Sequence, residues 1–424
     1  MQQTRTDDSP LVTSYVDPLT GMTADEAVAY ALAHNGELLA ARKEIEAAEA
    51  LVKQAGLRSN PRLDVEGSRQ INGKDNTVMA TAMLPLELGG RRPARIAVAQ
   101  RELEVRQHEV ADRERVLAAE VRIKFGETLA QALKLAFTEE LLANNRRGYD
   151  LIAARVGEGA TAPLEQNMAL VELNRLRSMR ENVQGKLEVL MLELRNLIGM
   201  PPEEPLRLRG DFGNLLDQPA PIAMETERAL RERPDLLAVH AMEDLAEARI
   251  EQARAAGRLD ASVLAGYERM NFGFPLFGVT ESGQLRPVQD VFHYFKFGVS
   301  LDLPVRNKNQ GAIEAAVVET EAARQRREFA ELTVRREVAA AYAQYGSAAR
   351  AMEIFRVGVR DQAKANLDVV RQTYELGSKT LLDYIAEQRR FIELENDFID
   401  AQLATYSARV QIERATASPE LIKK

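Results

Sequence analysis

The stretch that decides the fold is TVMATAMLPLELGGRRPA, residues 77–94, because its hydrophobic pattern changes partway along. Up to Leu88 the apolar side chains alternate with a period of two, which is typical of a half-buried β-strand. After it, Pro93 stands where the first turn of a helix tolerates proline, and an apolar residue then recurs every seven positions, at Ile96, Leu103, Val110 and Leu117. The stretch therefore predicts a strand that leads into a long helix.

The same succession of patterns occurs again in the second half of the chain. Ala31, Leu32, Leu38, Leu39, Ala40, Gln54 and Ala55 recur, in order and at the same spacing, as Ala229, Leu230, Leu236, Leu237, Ala238, Gln252 and Ala253. The offset between the copies then grows, which places an extra segment of the second copy at 273–291, and we expect this segment to be a long loop. Two copies of one unit predict a pseudo-symmetric molecule.

Each copy is expected to contain a helix, a β-hairpin, a long helix, a turn and a return helix. The predicted divisions are an N-terminal extended segment at 1–21, repeat 1 at 22–198, an equatorial linker at 199–221, repeat 2 at 222–416 and a C-terminal tail at 417–424. Repeat 1 has strands at 62–70 and 77–88, a long helix at 93–156 and a tip at 157–163. Repeat 2 has strands at 261–272 and 292–303, a long helix at 312–376 and a tip at 377–380.

The long helix of repeat 2 carries a coiled-coil seam. Its apolar residues are spaced alternately by four and three: Val334, Val338, Ala341, Tyr345, Ala348, Met352, Phe355 and Val359. At about 1.5 Å per residue, an uninterrupted helix of this length spans roughly 90 to 100 Å. Glycines end both long helices, at Gly157 and Gly159 in the first copy and at Gly377 in the second. We therefore expect two long coiled-coil hairpins.

Composition and charge exclude several classes of protein. The 64 acidic and 56 basic residues give a net charge of −8 and are spread along the chain, so no basic stripe is offered to nucleic acid. The sequence has no cysteine, which removes thiolate metal sites and thiol nucleophiles. It has no phosphate loop or nucleophile elbow, and no metal-ligand spacing joins its four histidines, which are His34, His108, His240 and His293. We expect no enzyme, no metal and no cofactor.

The four predicted strands have the length that a tilted strand needs to cross a bilayer. Four strands cannot close a barrel, and an open sheet edge is not tolerated in lipid. If the strands lie in a membrane, several chains must therefore pool them, and three chains would supply 12 strands. A soluble four-stranded sheet packed on helices is the alternative.

Three segments resemble the TolC-like outer-membrane efflux factors: LELGGRRPA at 86–94, RVGEGATAPLE at 155–165 and YELGSKTLLD at 374–383. The resemblance implies a homotrimer with a 12-stranded membrane β-barrel and an α-helical tunnel. It also implies an outer-membrane location with the helices in the periplasm, and partners that are a periplasmic adaptor protein and an inner-membrane resistance-nodulation-division transporter. Overall the chain most resembles the heavy-metal cation branch. The chain would then be a passive exit duct; the alternatives are the same duct for drugs, and a soluble coiled-coil scaffold.

The resemblance assigns the two hairpin tips to adaptor docking. The tip residues are Val156, Gly157, Glu158, Gly159, Ala160, Thr161, Leu376, Gly377 and Ser378. Small residues there let a partner backbone approach closely, although the glycines could serve only to make the turns.

A periplasmic gate is the second expectation for the tips. Glu165 and Asp383 occupy equivalent positions just past them, and three copies of each would form carboxylate rings that close through Tyr374 and Lys379. Ordinary solvated helix surface is the alternative for these carboxylates. The chain departs from the family at Ala386, where a second acidic residue is common, and it lacks the N-terminal Cys that anchors some relatives to lipid. Residues 1–10 lack the apolar core of a signal peptide, so either none existed or it has been removed, and we expect removal.

Overall fold

A computed structural model describes residues 15–213 and 219–422. Within them the chain forms mainly helices, with four strands; the elements are α1 Ala24–His34, α2 Gly36–Ala55, β1 Arg62–Arg69, β2 Asn76–Pro85, α3 Arg91–Gly157, α4 Pro163–Ile198, α5 Ile222–Glu232, α6 Pro234–Ala256, β3 Asp260–Val279, β4 Leu285–Asp302, α7 Gln310–Ile354, a π-helical turn Phe355–Val359, α8 Arg360–Glu375, α9 Leu381–Ala415 and a 3-10 helix Pro419–Ile422. The predictions for 1–14, 214–218 and 423–424 lie outside the described residues.

The contacts divide the chain into two units. The helical unit comprises Met1–Lys43, His108–Leu237 and Phe329–Lys424, and the sheet unit comprises Glu44–Gln107 and Ala238–Glu328. Each predicted repeat contributes residues to both units. The division into repeats at 22–198 and 222–416 therefore rests on the sequence and stays a prediction.

The core of the helical unit contains the first four residues of the predicted seam, whereas its last two, Phe355 and Val359, lie in a π-helical turn and are only partly buried. The buried residues of this core are Ala229, Leu236, Val334, Val338, Ala341, Tyr345, Ala408, Ile412 and Ala415, from α5, α6, α7 and α9. Burying each Val, Leu or Ile side chain contributes about 1.5 to 3 kcal/mol, so this seam holds the helices together. A narrow seam of small and β-branched residues allows close packing of long helices without a large aromatic core.

The first helical segment of each copy is split where the sequence pattern breaks. Asn35 separates α1 from α2, and its side-chain oxygen accepts a hydrogen bond from the Leu38 amide at 2.9 Å. Arg233 separates α5 from α6, is only 3% exposed, and pairs with Asp235 at 2.6 Å and with Glu337 at 2.8 Å. The second helix of each pair begins at the next residue, Gly36 or Pro234, and a hydrogen-bonded or ion-paired side chain therefore holds the chain at both breaks.

The long helix predicted at 312–376 is not continuous, in contrast to α3. A π-helical turn, Phe355–Val359, separates α7 from α8. A π-turn inserts an extra residue into a helix, which changes the direction of the side chains that follow. Here Arg360 then forms a two-pronged ion pair with Glu395 of α9 and lies 4.9 Å above the ring of Phe398. The prediction of an uninterrupted helix was wrong because periodicity alone does not reveal this pairing.

The sheet is antiparallel with the order β1-β2-β3-β4. Within the described chain, β1 and β4 are its two open edges. Strand β2 ends at Pro85, before the predicted limit of residue 88, because Glu87 adopts a positive φ of 51°.

The long loop predicted at 273–291 is wrong, because β3 and β4 continue through it as a two-stranded ribbon. The pairs Phe277↔Pro287, Gly278↔Arg286 and Val279↔Leu285 close the ribbon, beyond a bulge between Gly273 and Phe277. The bulge and the prolines hide the strand periodicity from a sequence pattern.

Candidate functional site at the helical hairpin tips

The two hairpin tips end their first helix with the same backbone turn. In the first tip Gly159 has a φ of 74°, and the Ala160 amide donates to the Arg155 carbonyl at 2.8 Å. In the second tip Gly377 has a φ of 76°, and the Ser378 amide donates to the Thr373 carbonyl at 2.9 Å. This six-to-one hydrogen bond after a left-handed glycine is the Schellman motif.

The return helices begin differently. In the first tip, α4 starts with Pro163 in its first turn, and Ala162 supplies no side-chain cap. In the second tip Thr380 and Asp383 form a capping box, in which the Thr380 hydroxyl accepts from the Asp383 amide at 3.2 Å and the Asp383 carboxylate accepts from the Thr380 amide at 3.0 Å. The second return helix is therefore fixed more tightly at its start.

Three large apolar side chains stand exposed on the tips. Leu376 is 81% exposed, Leu164 is 66% exposed, and Leu382, the counterpart of Leu164, is 62% exposed. The surrounding glycines, Gly157, Gly159 and Gly377, have nothing within 4 Å of where a Cβ would stand. Both tips thus present apolar side chains beside accessible backbone. Sequence reasoning named the small residues but missed Leu164 and Leu382, although their matching positions in the two copies were a usable signal.

Of the four predicted gate residues, the structure brings Tyr374 and Glu165 together. The Tyr374 hydroxyl donates to Glu165 Oε2 at 3.3 Å, which joins α8 to α4. Burial, and then the negative charge of Glu165, raise the pKa of Tyr374. The Tyr374 ring also stacks on Tyr384 at 6.0 Å, above a cluster that contains Ile152 and Leu381. This contact therefore links the two hairpins next to their tips.

Within a single chain, the Asp383 carboxylate does not form a hydrogen bond with the Tyr374 hydroxyl. The Asp383 carboxylate bonds to Thr380 instead, and the hydrogen bond from the Thr380 amide lowers the pKa of Asp383; the charge of Lys379 lowers it less. Asp383 and Lys379 are both exposed. Asp383 therefore caps the first turn of α9.

A buried ion cluster behind the tips was missed by sequence reasoning. Glu172 of α4 is 2% exposed and pairs with Arg175 of its own helix at 2.8 Å and with Arg389 of α9 at 2.6 Å. A glutamate followed three residues later by an arginine is common on solvated helices, so the burial of Glu172 could not be predicted from this pattern. The cluster is a second link between the hairpins.

In residues 15–213 and 219–422, no group of three or more histidine and acidic residues is arranged to hold a metal ion. Over the same residues, no helix is both long enough and apolar enough to cross a membrane.

Comparison with known proteins defines the class. The family described as outer membrane efflux protein matches residues 27–200 and 226–418, which is most of the chain and includes both tips. The chain belongs to the outer membrane efflux protein family, and it functions in efflux at the outer membrane.

Particular relatives support this assignment. The chain is 25% identical over 397 residues to the cobalt-zinc-cadmium resistance protein CzcC of Cupriavidus metallidurans, covering 93% of this chain and 89% of that protein. Its fold matches a crystal structure of CusC with a TM-score of 0.75 at 18% identity, covering 93% and 91% of the two chains. It also matches a membrane protein from Pseudomonas aeruginosa with a TM-score of 0.75 at 23% identity, covering 95% and 94%.

Proposed function

We propose that three copies of this chain form the passive exit duct of a tripartite efflux pump, with the sheets pooled into a 12-stranded barrel in the outer membrane and the helices in the periplasm. The single observation that carries the proposal is the open four-stranded sheet, whose two faces differ in polarity and whose edges are unpaired within the described chain. A sheet of this kind is incomplete in lipid.

One face of the sheet is apolar and exposed. Phe297 is 83% exposed and Phe295 is 75% exposed, and the strand register aligns them with the rest of this face, which comprises Leu63, Val65, Ala80, Ala82, Ala265, Tyr267 and Val299. The opposite face includes Asp64, Glu66, Thr81, Ser262, Glu268, Lys296 and Ser300, and Lys296 forms an ion pair with Glu268 across β3 and β4. Lipid outside and water inside a barrel require this alternation.

Size-exclusion chromatography with light scattering in detergent tests the assembly, and we expect the mass of three chains. Only monomer in detergent would contradict the proposal.

A matched pair of variants tests the two faces of the sheet. Phe297→Arg places a charge toward lipid, which should destabilise the barrel by about 2–4 kcal/mol. We therefore expect less trimer in outer-membrane fractions. Ser300→Arg, on the polar face of the same strand, should be tolerated.

The tips are the proposed docking surface for the periplasmic adaptor. This surface consists of Val156, Gly157, Glu158, Gly159, Ala160, Thr161, Leu376, Gly377 and Ser378, to which the structure adds the exposed Leu164 and Leu382. Exposed apolar side chains next to open backbone are suited to a partner helix. Gly157→Trp should leave the trimer intact but abolish cross-linking to the adaptor and efflux. Gly185→Trp, on α4 and equally open, is the control; equal cross-linking in both variants would contradict docking at the tips.

The proposed constriction is formed by Glu165, Tyr374, Lys379 and Asp383. Three copies of the chain would form rings of carboxylates at the narrow end of the tunnel, and these rings would attract cations. The hydrogen bond between Tyr374 and Glu165 would hold the hairpins in the closed arrangement until the adaptor moves them. Tyr374→Phe and Asp383→Ala should both raise single-channel conductance. Thr380→Ala is the control for Asp383→Ala, because it weakens the same cap but keeps the carboxylate. Unchanged conductance in Asp383→Ala would show that Asp383 does not contribute to the gate.

We propose heavy-metal cations as the cargo, handed over by an adaptor and an inner-membrane resistance-nodulation-division transporter. The support is the resemblance to a cobalt-zinc-cadmium resistance protein over most of the chain. A deletion strain should lose tolerance to divalent metals and regain it with the wild-type chain. Loss of tolerance to drugs alone would assign the same duct to drugs.

A further inference from the structure

Four aromatic side chains meet at one end of the sheet. Phe272 lies 5.7 Å from Phe274, Phe274 lies 6.0 Å from Phe292, and Phe292 lies 6.4 Å from Tyr294, measured between ring centroids. The first two contacts are edge-to-face, and the third is stacked. We name these four residues the aromatic cluster.

The strand register places the aromatic cluster on the polar face of the sheet. Tyr294 lies opposite Glu268, which belongs to that face, and Phe272 lies opposite Asp290. The phenylalanines of the apolar face, Phe295 and Phe297, alternate with these positions along β4 and point away from them. The cluster is therefore not part of the surface that we assign to lipid.

The cluster lies toward the end of the sheet opposite Asp260 and Asp302, where β3 begins and β4 ends. Strand β2 begins at Asn76, which pairs with Asn271, so Phe272 is the first residue at which β3 and β4 continue without β2. The rings are accessible, since Phe272 is 44% exposed, Phe274 36% and Tyr294 45%. A trimer would set three such clusters around the polar interior.

We propose that the aromatic cluster forms a second constriction, at the outer mouth of the duct, whose ring faces bind weakly hydrated organic cations. This inference rests on the proposed trimeric duct. Ring faces attract cations through their quadrupole, and the carboxylate of Asp290, which lies opposite Phe272 on the same face, adds negative charge, whereas Glu268 is already paired with Lys296. A constriction built from aromatic side chains also narrows the water column without adding fixed charge.

Block of the channel in a planar bilayer tests this proposal, with tetraethylammonium added to each side in turn. We expect block of the wild-type current, tighter from one side. In the double variant Phe274→Leu and Phe292→Leu, which keeps apolar side chains but removes both rings, the blocking concentration should rise about five- to tenfold. The double variant Phe295→Leu and Phe297→Leu makes the same change on the opposite face. Tetraethylammonium should block it at the same concentration as the wild type. Detergent mass measurements verify that both variants remain trimeric.

The outcomes separate this proposal from the duct itself. A wild-type pore that tetraethylammonium does not block, or equal block in the two double variants, would overturn the outer constriction and leave the duct standing. Block weakened only in the variant of the apolar face would mean that the assignment of the two faces is reversed. A wild-type chain that conducts no current would defeat the duct, and the outer constriction with it.

Discussion

The two hairpin tips share one turn and differ in the next four residues. Gly159 and Gly377 adopt nearly the same left-handed conformation, with φ of 74° and 76°, and the same hydrogen bond closes both turns. The return helices then begin with Pro163 and no side-chain cap in one tip, and with a capping box at Thr380 in the other. The backbone requirement of the turn is thus common to both copies, whereas the cap, for which several solutions exist, differs.

The largest expected effect comes from separating the two hairpins. Glu172→Gln keeps the shape of the side chain but removes the buried charge that Arg389 reaches from the other hairpin at 2.6 Å. The arginines left behind, Arg175 and Arg389, are 41% and 47% exposed and stay hydrated, so the expected loss comes from the charge-assisted hydrogen bonds and is about 2 kcal/mol in the free energy of unfolding. Denaturant unfolding in detergent, followed by circular dichroism, measures it.

Two arginine variants show which hairpin contact matters. Arg175→Ala removes the partner from the same helix as Glu172, whereas Arg389→Ala removes the partner from α9. If the cluster joins the hairpins, Arg389→Ala should destabilise more than Arg175→Ala. Equal losses would mean that Glu172 serves only its own helix.

The next effect is at the shared turn. Gly159→Ala and Gly377→Ala should each destabilise by about 1–2 kcal/mol, because a left-handed φ brings Cβ close to the following carbonyl. Both positions have open space around them, so the whole effect comes from the backbone. Gly157→Ala, at the last residue of α3, is the control and should be neutral or slightly stabilising. Unequal losses at Gly159 and Gly377 would show that the tips are not equivalent.

Much of the fold could be predicted from the sequence because its periodicities are long. A period of two marks the apolar face that contains Phe295 and Phe297, and a seam spaced by four and three marks the buried face at Val334 and Val338. Periodicity fails where residues are added locally. The π-helical turn and the bulge after Gly273 both add residues that a regular pattern does not reveal.

The candidate site could also be predicted only in part. The positions of Gly159 and Gly377 follow from the conformational freedom of glycine, so the sequence was sufficient to predict the turns. The partner of Glu165 did not follow from the sequence, because Tyr374 is 209 residues away and only tertiary packing brings the two side chains together. Asp383 meets Thr380, three residues before it, in a capping box whose residue pattern is local.

A smaller effect should follow from exchanging the caps. Thr380→Ala removes the hydroxyl that accepts from the Asp383 amide and should cost about 1 kcal/mol. Ala162→Thr at the equivalent position of the first tip would create a capping box with Glu165, and should stabilise α4 by a similar amount. Because Glu165 would then leave Tyr374, the same variant should raise single-channel conductance. A gain in stability with no change in conductance would show that the contact of Tyr374 with Glu165 does not hold the tips closed.

The smallest effect is the acid dependence of the capped tip. The amide of Thr380 lowers the pKa of Asp383 below that of an ordinary carboxyl group, so the folded state binds the proton less tightly than the unfolded chain. The stability that Asp383 contributes is therefore present above the ordinary carboxyl pKa of about 3.9, and is lost as the pH falls through the lower value of the folded state. The unfolding free energies of wild type and Asp383→Asn should differ at about pH 6 and converge toward pH 3. A difference that stays constant over this range would mean that the Asp383 carboxylate does not act through its charge.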